Sequence, residues 1–203
     1  MAVFEGATID DIYKALAYAE TGTHPQAKDD PWTRTYQEGS GSSAYGPVGL
    51  TGGGGSDRAI RKKETSMMWN VYHDPKMAKK MGITEKERIY ISRFLEQADR
   101  FLDPVSDEKG STYGYGGSGV LTSDEDKALY ENVAKKLIGY ELDRVGGIDN
   151  WKKFKRAWRD ADWDTEYFEK VDRELRRSID ETSKAKDKAA LFPDETLMET
   201  MLS

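Results

Sequence analysis

The chain has 203 residues, of which 37% are hydrophobic, 11% aromatic and 33% charged, a composition that supports one packed domain with a polar tail. Its formal net charge of -6 argues against a general binder of nucleic-acid backbones, which needs a basic surface. The lack of cysteine excludes disulfides, thiolate catalysis and cysteine-based zinc sites. No apolar run approaches the roughly 20 residues of a membrane span and no apolar leader follows Met1, so we expect neither membrane insertion nor a signal peptide.

The first predicted element is a helix that begins after Thr8. Thr8 is a good N-cap residue, and Asp11 follows it at the spacing of a capping box, with Asp in place of the usual Glu or Gln. The helix is expected to end near Gly22, which places Glu20 in its last turn. Apolar residues recur at helical spacing before Glu20, namely Ile9, Tyr13 and Leu16.

A long glycine-rich loop is predicted over residues 21–56. Structureless stretches of this length are unusual inside a compact domain, and those that occur are often functional. A flexible linker is the plain alternative, but linkers rarely carry interleaved aromatic and aliphatic residues. This loop contains Trp32, Tyr36, Tyr45, Val48 and Leu50.

Helices dominate the remaining sequence. They are expected over residues 57–73, 77–81, 84–102, 123–146, 149–158 and 165–183, with Thr84 and Ser123 as caps and a second glycine-rich loop over residues 103–122. We therefore predict a mainly α fold with at most a small β-hairpin in the first loop. One domain is expected over residues 1–183, followed by a polar extension over 184–203 that ends in a short amphipathic segment.

Glu20 is the strongest candidate for a chemical role. A carboxyl beside apolar and aromatic groups is desolvated, which raises its pKa and lets it hold a proton near neutral pH. A protonated carboxyl is what a leaving glycosidic oxygen requires. A glutamate at the end of a helix is, taken alone, more often a solvated surface residue. Whether Glu20 is catalytic therefore has to be judged from the segments that follow it.

Those segments resemble the lysozyme-like superfamily, with soluble lytic transglycosylases and goose-type lysozymes closest in pattern. The usual signature is a helix ending in Glu-Ser, a polar loop, and a segment like Gly-Ala-x-Gly-Leu-Met-Gln. Here Glu20-Thr21 corresponds to the Glu-Ser pair, and residues 44–51, Ala-Tyr-Gly-Pro-Val-Gly-Leu-Thr, correspond to the second segment. The resemblance implies a lysozyme-like helical fold, with Glu20 as general acid/base. It also implies that the glycan cleft is lined around Ser43, Tyr45, Gly46, Leu50 and Thr51.

The second loop contributes a looser match to the same superfamily. Relatives often carry an aromatic-glycine segment such as Ala-Tyr-Asn-Ala-Gly on the far wall of the cleft, and Tyr113-Gly-Tyr115-Gly is a partial counterpart that lacks the Asn. A tyrosine face can stack on a sugar ring. Tyr113 and Tyr115 are therefore candidate substrate-binding residues, and an ordinary polar loop is the alternative.

The number of catalytic carboxylates stays open. Hydrolysis normally uses a second carboxylate, and Glu20, Asp29 and Thr35 have a spacing that resembles the Glu–Asp–Thr trio of phage lysozymes. Lytic transglycosylases need one acid, because the 6-hydroxyl of the muramic acid attacks instead. Both reactions break the bond between N-acetylmuramic acid and N-acetylglucosamine.

The resemblance implies bacterial peptidoglycan as the partner and no cofactor. No metal site is expected, because His24 and His73 lack metal-ligand spacing. The resemblance to phage lysozymes also suggests a phage origin. A phage lysis enzyme would be found in the host cytoplasm and then at the cell wall. A virion component could use its C-terminal segment to dock on other virion proteins. The alternatives are a non-catalytic phage structural protein on a lysozyme-like fold, and a helical carbohydrate- or protein-binding module.

Overall fold

The structure, a computed structural model, describes residues 4–21, 46–50, 67–102, 121, 123–159 and 165–191. These ranges contain seven α-helices, one short 3-10 helix and no strand beyond the single bridge residue Leu50. The helices are α1 (Ile9–Thr21), α2 (Met67–His73), α3 (Pro75–Lys80), α4 (Glu85–Leu102), α5 (Asp124–Val145), α6 (Trp151–Arg159) and α7 (Thr165–Leu191), with the 3-10 helix Ile148–Asn150 before α6. The predicted mainly α fold is confirmed, whereas most of the loop expected to hold a hairpin lies outside the described residues.

Three helices begin with the cap that the sequence predicts. The capping pairs are Thr8 with Asp11 before α1, Thr84 with Glu87 before α4, and Ser123 with Asp126 before α5. In each pair the backbone N–H of the acidic residue donates to the hydroxyl, at 3.1 to 3.3 Å, and the hydroxyl donates back to the carboxylate, at 2.6 to 2.9 Å. The first turn of each helix is therefore fixed by local hydrogen bonds alone.

The same three carboxylates also join helices to one another. All three acidic residues are buried, so each needs partners for its remaining lone pairs. The partners are Ser178 and Thr182 of α7 for Asp11, Lys136 of α5 for Glu87, and Arg93 of α4 for Asp126. Each capping acid thus couples the start of its own helix to the side of a neighbouring helix.

Helix α1 is held between α7, its most extensive contact, and α5. Its buried apolar face is formed by Ile12, Ala15, Leu16 and Ala19. Trp151 and Trp158 of α6 are buried in the same core. Because α1 is covered along this face and tied at its start through Asp11, the position of its C-terminal end is set by the core.

Helix α7 is longer than expected. It runs without interruption to Leu191, through the domain boundary predicted between residues 183 and 184. The amphipathic segment from residue 192 onwards lies outside the described residues, so its docking role stays a prediction. No helix in the described ranges combines the length and the apolar character that a membrane crossing requires.

Candidate active site

Glu20 lies in the last turn of α1, where the sequence places it. Its side chain is partly buried, and the preceding residue, Ala19, is buried in the core. The apolar stripe of Tyr13 and Leu16 lies on the buried side of the same helix. The carboxyl of Glu20 is therefore presented at the border between the core and the surface.

A tight turn over residues 46–50 lies against this end of α1. The N–H of Gly49 donates to the carbonyl oxygen of Gly46 at 3.1 Å, which closes a four-residue turn with Pro47 at its second position. Proline is favoured at that position and glycine at the fourth. Val48 and Leu50 are buried, so the turn is anchored in the core at alternate residues.

The Glu20 carboxyl lies beside Gly49 across the two segments. A β-carbon built on Gly49 would lie 3.3 Å from Cδ of Glu20 and 3.4 Å from one of its carboxylate oxygens. Gly49 also has a positive φ of 63°, a conformation that glycine adopts without steric penalty. Glycine at position 49 therefore lets the backbone of the turn pass directly beside the Glu20 carboxyl.

Tyr130 of α5 also holds this turn. Its hydroxyl accepts hydrogen bonds from the N–H groups of Val48 and Leu50, both at 3.3 Å, and its side chain is fully buried. A β-carbon on Gly46, whose φ is 74°, would lie 2.5 Å from Cζ of the Tyr130 ring. Position 46 is therefore sterically restricted to glycine as long as the tyrosine ring is present.

This arrangement can hold a carboxyl beside a rigid backbone surface. A proton donor or acceptor has to be fixed relative to the bond on which it acts. Helix α1, held by α5 and α7, fixes the carboxyl, and the turn fixes the surface next to it. The pair is suited to general acid/base chemistry on a polar ligand lying along the turn.

The structure brings together three of the residues singled out from the sequence, Glu20, Gly46 and Leu50. Leu50 is 1% exposed, so its side chain anchors the turn in the core. The other candidates, Asp29, Thr35, Ser43, Tyr45, Thr51, Tyr113 and Tyr115, lie outside the described residues. Their roles stay predictions.

Sequence reasoning gave Tyr130 no role. Its only local signal is the spacing to Val133 and Leu137, which places it on the buried face of α5. That spacing predicts burial but not the hydrogen bonds to the turn, since Val48 and Leu50 are 80 or more residues away along the chain.

The rest of the described chain offers no group of three or more His, Asp or Glu side chains arranged to hold a metal ion. No protein-family model, curated protein or solved structure matches the chain.

Proposed function

We propose that this chain cleaves the β-1,4 bond between N-acetylmuramic acid and N-acetylglucosamine in bacterial peptidoglycan, with Glu20 as general acid/base on a lysozyme-like fold. The observation that carries the proposal is the contact between Glu20 and the turn at Gly49. These two segments carry the resemblance to lytic transglycosylases and goose-type lysozymes. Their contact in space joins two matches that are separate in the sequence.

The chemistry requires one carboxyl that gives a proton and later accepts one. Protonated Glu20 would donate to the glycosidic oxygen as the bond breaks and charge develops at the anomeric carbon. The carboxylate left behind would then remove a proton from the attacking hydroxyl. That hydroxyl is the one on carbon 6 of the same muramic acid in a lytic transglycosylase, whereas in a muramidase a second carboxylate, for which Asp29 is the candidate, would act on the attacking water.

The position of the carboxyl suits this cycle. A general acid should be shielded enough to favour its protonated form, yet open enough to touch a polymer. Glu20 is partly buried at the end of a core helix, and it lies beside the backbone of a rigid turn. A glycan strand lying along the turn would bring its linkage to the carboxyl without passing through the core.

The setting that we propose is a phage lysis enzyme or a virion-associated enzyme that acts on the wall. The spacing of Glu20, Asp29 and Thr35 resembles the trio of phage lysozymes, which supports this setting. Peptidoglycan is then the macromolecular partner. A lysozyme-like module kept only as a structural part of a phage particle is the alternative, and it has no need for the Glu20 carboxyl.

A matched pair of variants tests the catalytic role of Glu20. Glu20→Gln keeps the shape of the side chain but removes its acid function, and we expect release of soluble fragments from purified peptidoglycan to fall at least about 100-fold. Glu96→Gln makes the same change at an exposed position of α4 and should leave the rate unchanged. Equal release of fragments by wild type and Glu20→Gln would refute the catalytic role of Glu20, and no release by wild type would favour the structural alternative.

A further inference from the structure

One hydroxyl group holds both amides that flank Gly49. The Tyr130 hydroxyl accepts from Val48 N–H on one side of Gly49 and from Leu50 N–H on the other. A phenol oxygen can accept two hydrogen bonds and still donate its own proton. Tyr130 therefore fixes the orientation of the Pro47–Val48 and Gly49–Leu50 peptide units in the turn that lies beside Glu20.

The two amides depend on this acceptor. Val48 and Leu50 are 2% and 1% exposed. A buried N–H group without a hydrogen-bond partner lowers the stability of the folded state. The side chains of both residues anchor the turn in the core, but apolar contacts do not dictate the orientation of a peptide plane. The hydroxyl supplies the directional part of the restraint.

The ring of Tyr130 supplies a second restraint. It lies so close to Gly46 that a β-carbon there would fall 2.5 to 2.9 Å from three atoms of the tyrosine side chain. The turn is therefore held at Gly46 by the tyrosine ring, and at Val48 and Leu50 by hydrogen bonds to the tyrosine hydroxyl. Burial raises the pKa of Tyr130 well above its ordinary value, and the nearby Tyr13 adds to this effect, so the group stays a neutral hydroxyl in any ordinary assay.

We infer that Tyr130 is a positioning residue that holds the Gly46–Leu50 turn at the correct distance from Glu20 for glycan cleavage. This inference rests on the function proposed for Glu20. Tyr130 is fully buried and acts through the turn, without contact with the glycan. Its effect should appear in the rate of the chemical step more than in binding, because an error of about 1 Å in the placement of reacting groups can reduce a rate about 100-fold.

Tyr130→Phe is the direct test, because it removes the hydroxyl and keeps the ring against Gly46. We expect kcat on soluble glycan strands to fall about 10- to 100-fold, with KM changed less than about threefold. Hydrogen exchange at the Val48 and Leu50 amides should become at least about tenfold faster, because both lose their acceptor. The exchange measurement reports on the turn itself and is independent of activity.

Leu137→Ala is the control for simple loss of stability. Leu137 is fully buried on the same helix, two turns further along, and its truncation should destabilise the fold at least as much as the loss of one hydroxyl. Assayed well below its melting temperature, this variant should keep wild-type kcat and wild-type exchange at Val48 and Leu50. A loss of kcat in Leu137→Ala that matches the loss in Tyr130→Phe would overturn the positioning role.

The two proposals fail in different ways. If Glu20→Gln is inactive but Tyr130→Phe keeps wild-type kcat and exchange, the positioning role is wrong and the function stands. If wild type cleaves no glycan at all, the proposed function is wrong and the positioning role falls with it.

Discussion

At the scale of single residues, the placement of the Glu20 carboxyl depends on the absence of a side chain at position 49. Gly49 combines a positive φ of 63° with a contact to the Glu20 carboxyl, and Gly82 has nearly the same φ, 65°, with nothing within 4 Å of a built β-carbon. Gly49 and Gly82 therefore share the same backbone requirement, and of these two only Gly49 lies next to the candidate acid.

Substitution of each glycine by alanine should separate conformational strain from displacement of the acid. Both Gly49→Ala and Gly82→Ala should lower the free energy of unfolding by about 1–2 kcal/mol, because a β-carbon is strained in the left-handed region. Only Gly49→Ala should lower peptidoglycan cleavage, by about tenfold or more, since its methyl group pushes the Glu20 carboxyl away. Thermal melts and initial rates measure the two effects, and similar activity of both variants would contradict the role given to the contact.

At the scale of helices, α4 and α5 are joined by ion pairs of two kinds. Lys136 and Glu87 meet at 2.6 Å with the Glu87 side chain 5% exposed, whereas Lys86 and Glu125 meet at 2.9 Å with exposures of 77% and 66%. Burial by itself would raise the pKa of Glu87, but hydrogen bonds from Lys136 and Thr84 outweigh it and lower the pKa. The Glu87 carboxylate also accepts the capping hydrogen bonds from Thr84 at the start of α4. We therefore expect the Lys136–Glu87 pair to contribute more to stability than the Lys86–Glu125 pair.

Double-mutant cycles on the two pairs test this difference. Glu87→Gln combined with Lys136→Met should show a coupling energy of about 1–3 kcal/mol, because breaking a buried pair leaves an unpaired group behind. Lys86→Met combined with Glu125→Gln should show no measurable coupling, because water and salt screen an exposed pair. Chemical denaturation of the four single and two double variants gives both energies, and equal coupling in the two cycles would be inconsistent with this interpretation.

The helix scale also shows what the sequence can and cannot predict. Thr8, Thr84 and Ser123 were identifiable as caps because a capping box is a local hydrogen-bonding pattern within four residues. The end of α7 was missed because residues 184–191 lack an apolar stripe, although lysine and alanine favour helix intrinsically. The family resemblance implied that residues 44–51 line the cleft of Glu20, but it did not predict the approach of Glu20 to Gly49. The hydrogen bonds of Tyr130 were not expected at all, since they join distant parts of the chain.

At the scale of the whole molecule, Asp11 links α1 to α7, the first and last helices of the described residues. Burial by itself would raise the pKa of Asp11, but hydrogen bonds from Ser178, Thr8 and Thr182 outweigh it and lower the pKa below its ordinary value of 3.8. Ionised Asp11 therefore stabilises the fold above the unfolded pKa. That contribution is lost as the pH falls through the lower pKa of the folded state.

Asp11→Asn should make the molecule less stable and less sensitive to acid. At neutral pH we expect a loss of about 1–3 kcal/mol in the free energy of unfolding, because Asp11 is buried and accepts several hydrogen bonds. Below about pH 4 the melting temperatures of wild type and variant should converge. Asp10→Asn is the control, because it makes the same charge change at an exposed neighbour, and it should keep the wild-type pH dependence. A constant difference in melting temperature between wild type and Asp11→Asn down to about pH 2 would contradict a stabilising role for ionised Asp11.

The most direct test of the central claim is mass spectrometry of the fragments that the wild-type chain releases from purified Gram-negative peptidoglycan. We predict that every cleavage leaves N-acetylmuramic acid at the new end that carries the anomeric carbon, and N-acetylglucosamine at the new non-reducing end. A 1,6-anhydro end would identify a lytic transglycosylase that works with Glu20 alone, and a reducing end would identify a muramidase and point to Asp29 as the second carboxylate. N-acetylglucosamine at the new reducing ends, cleaved peptides, or no released fragments would contradict the proposal that this chain cuts the bond between N-acetylmuramic acid and N-acetylglucosamine.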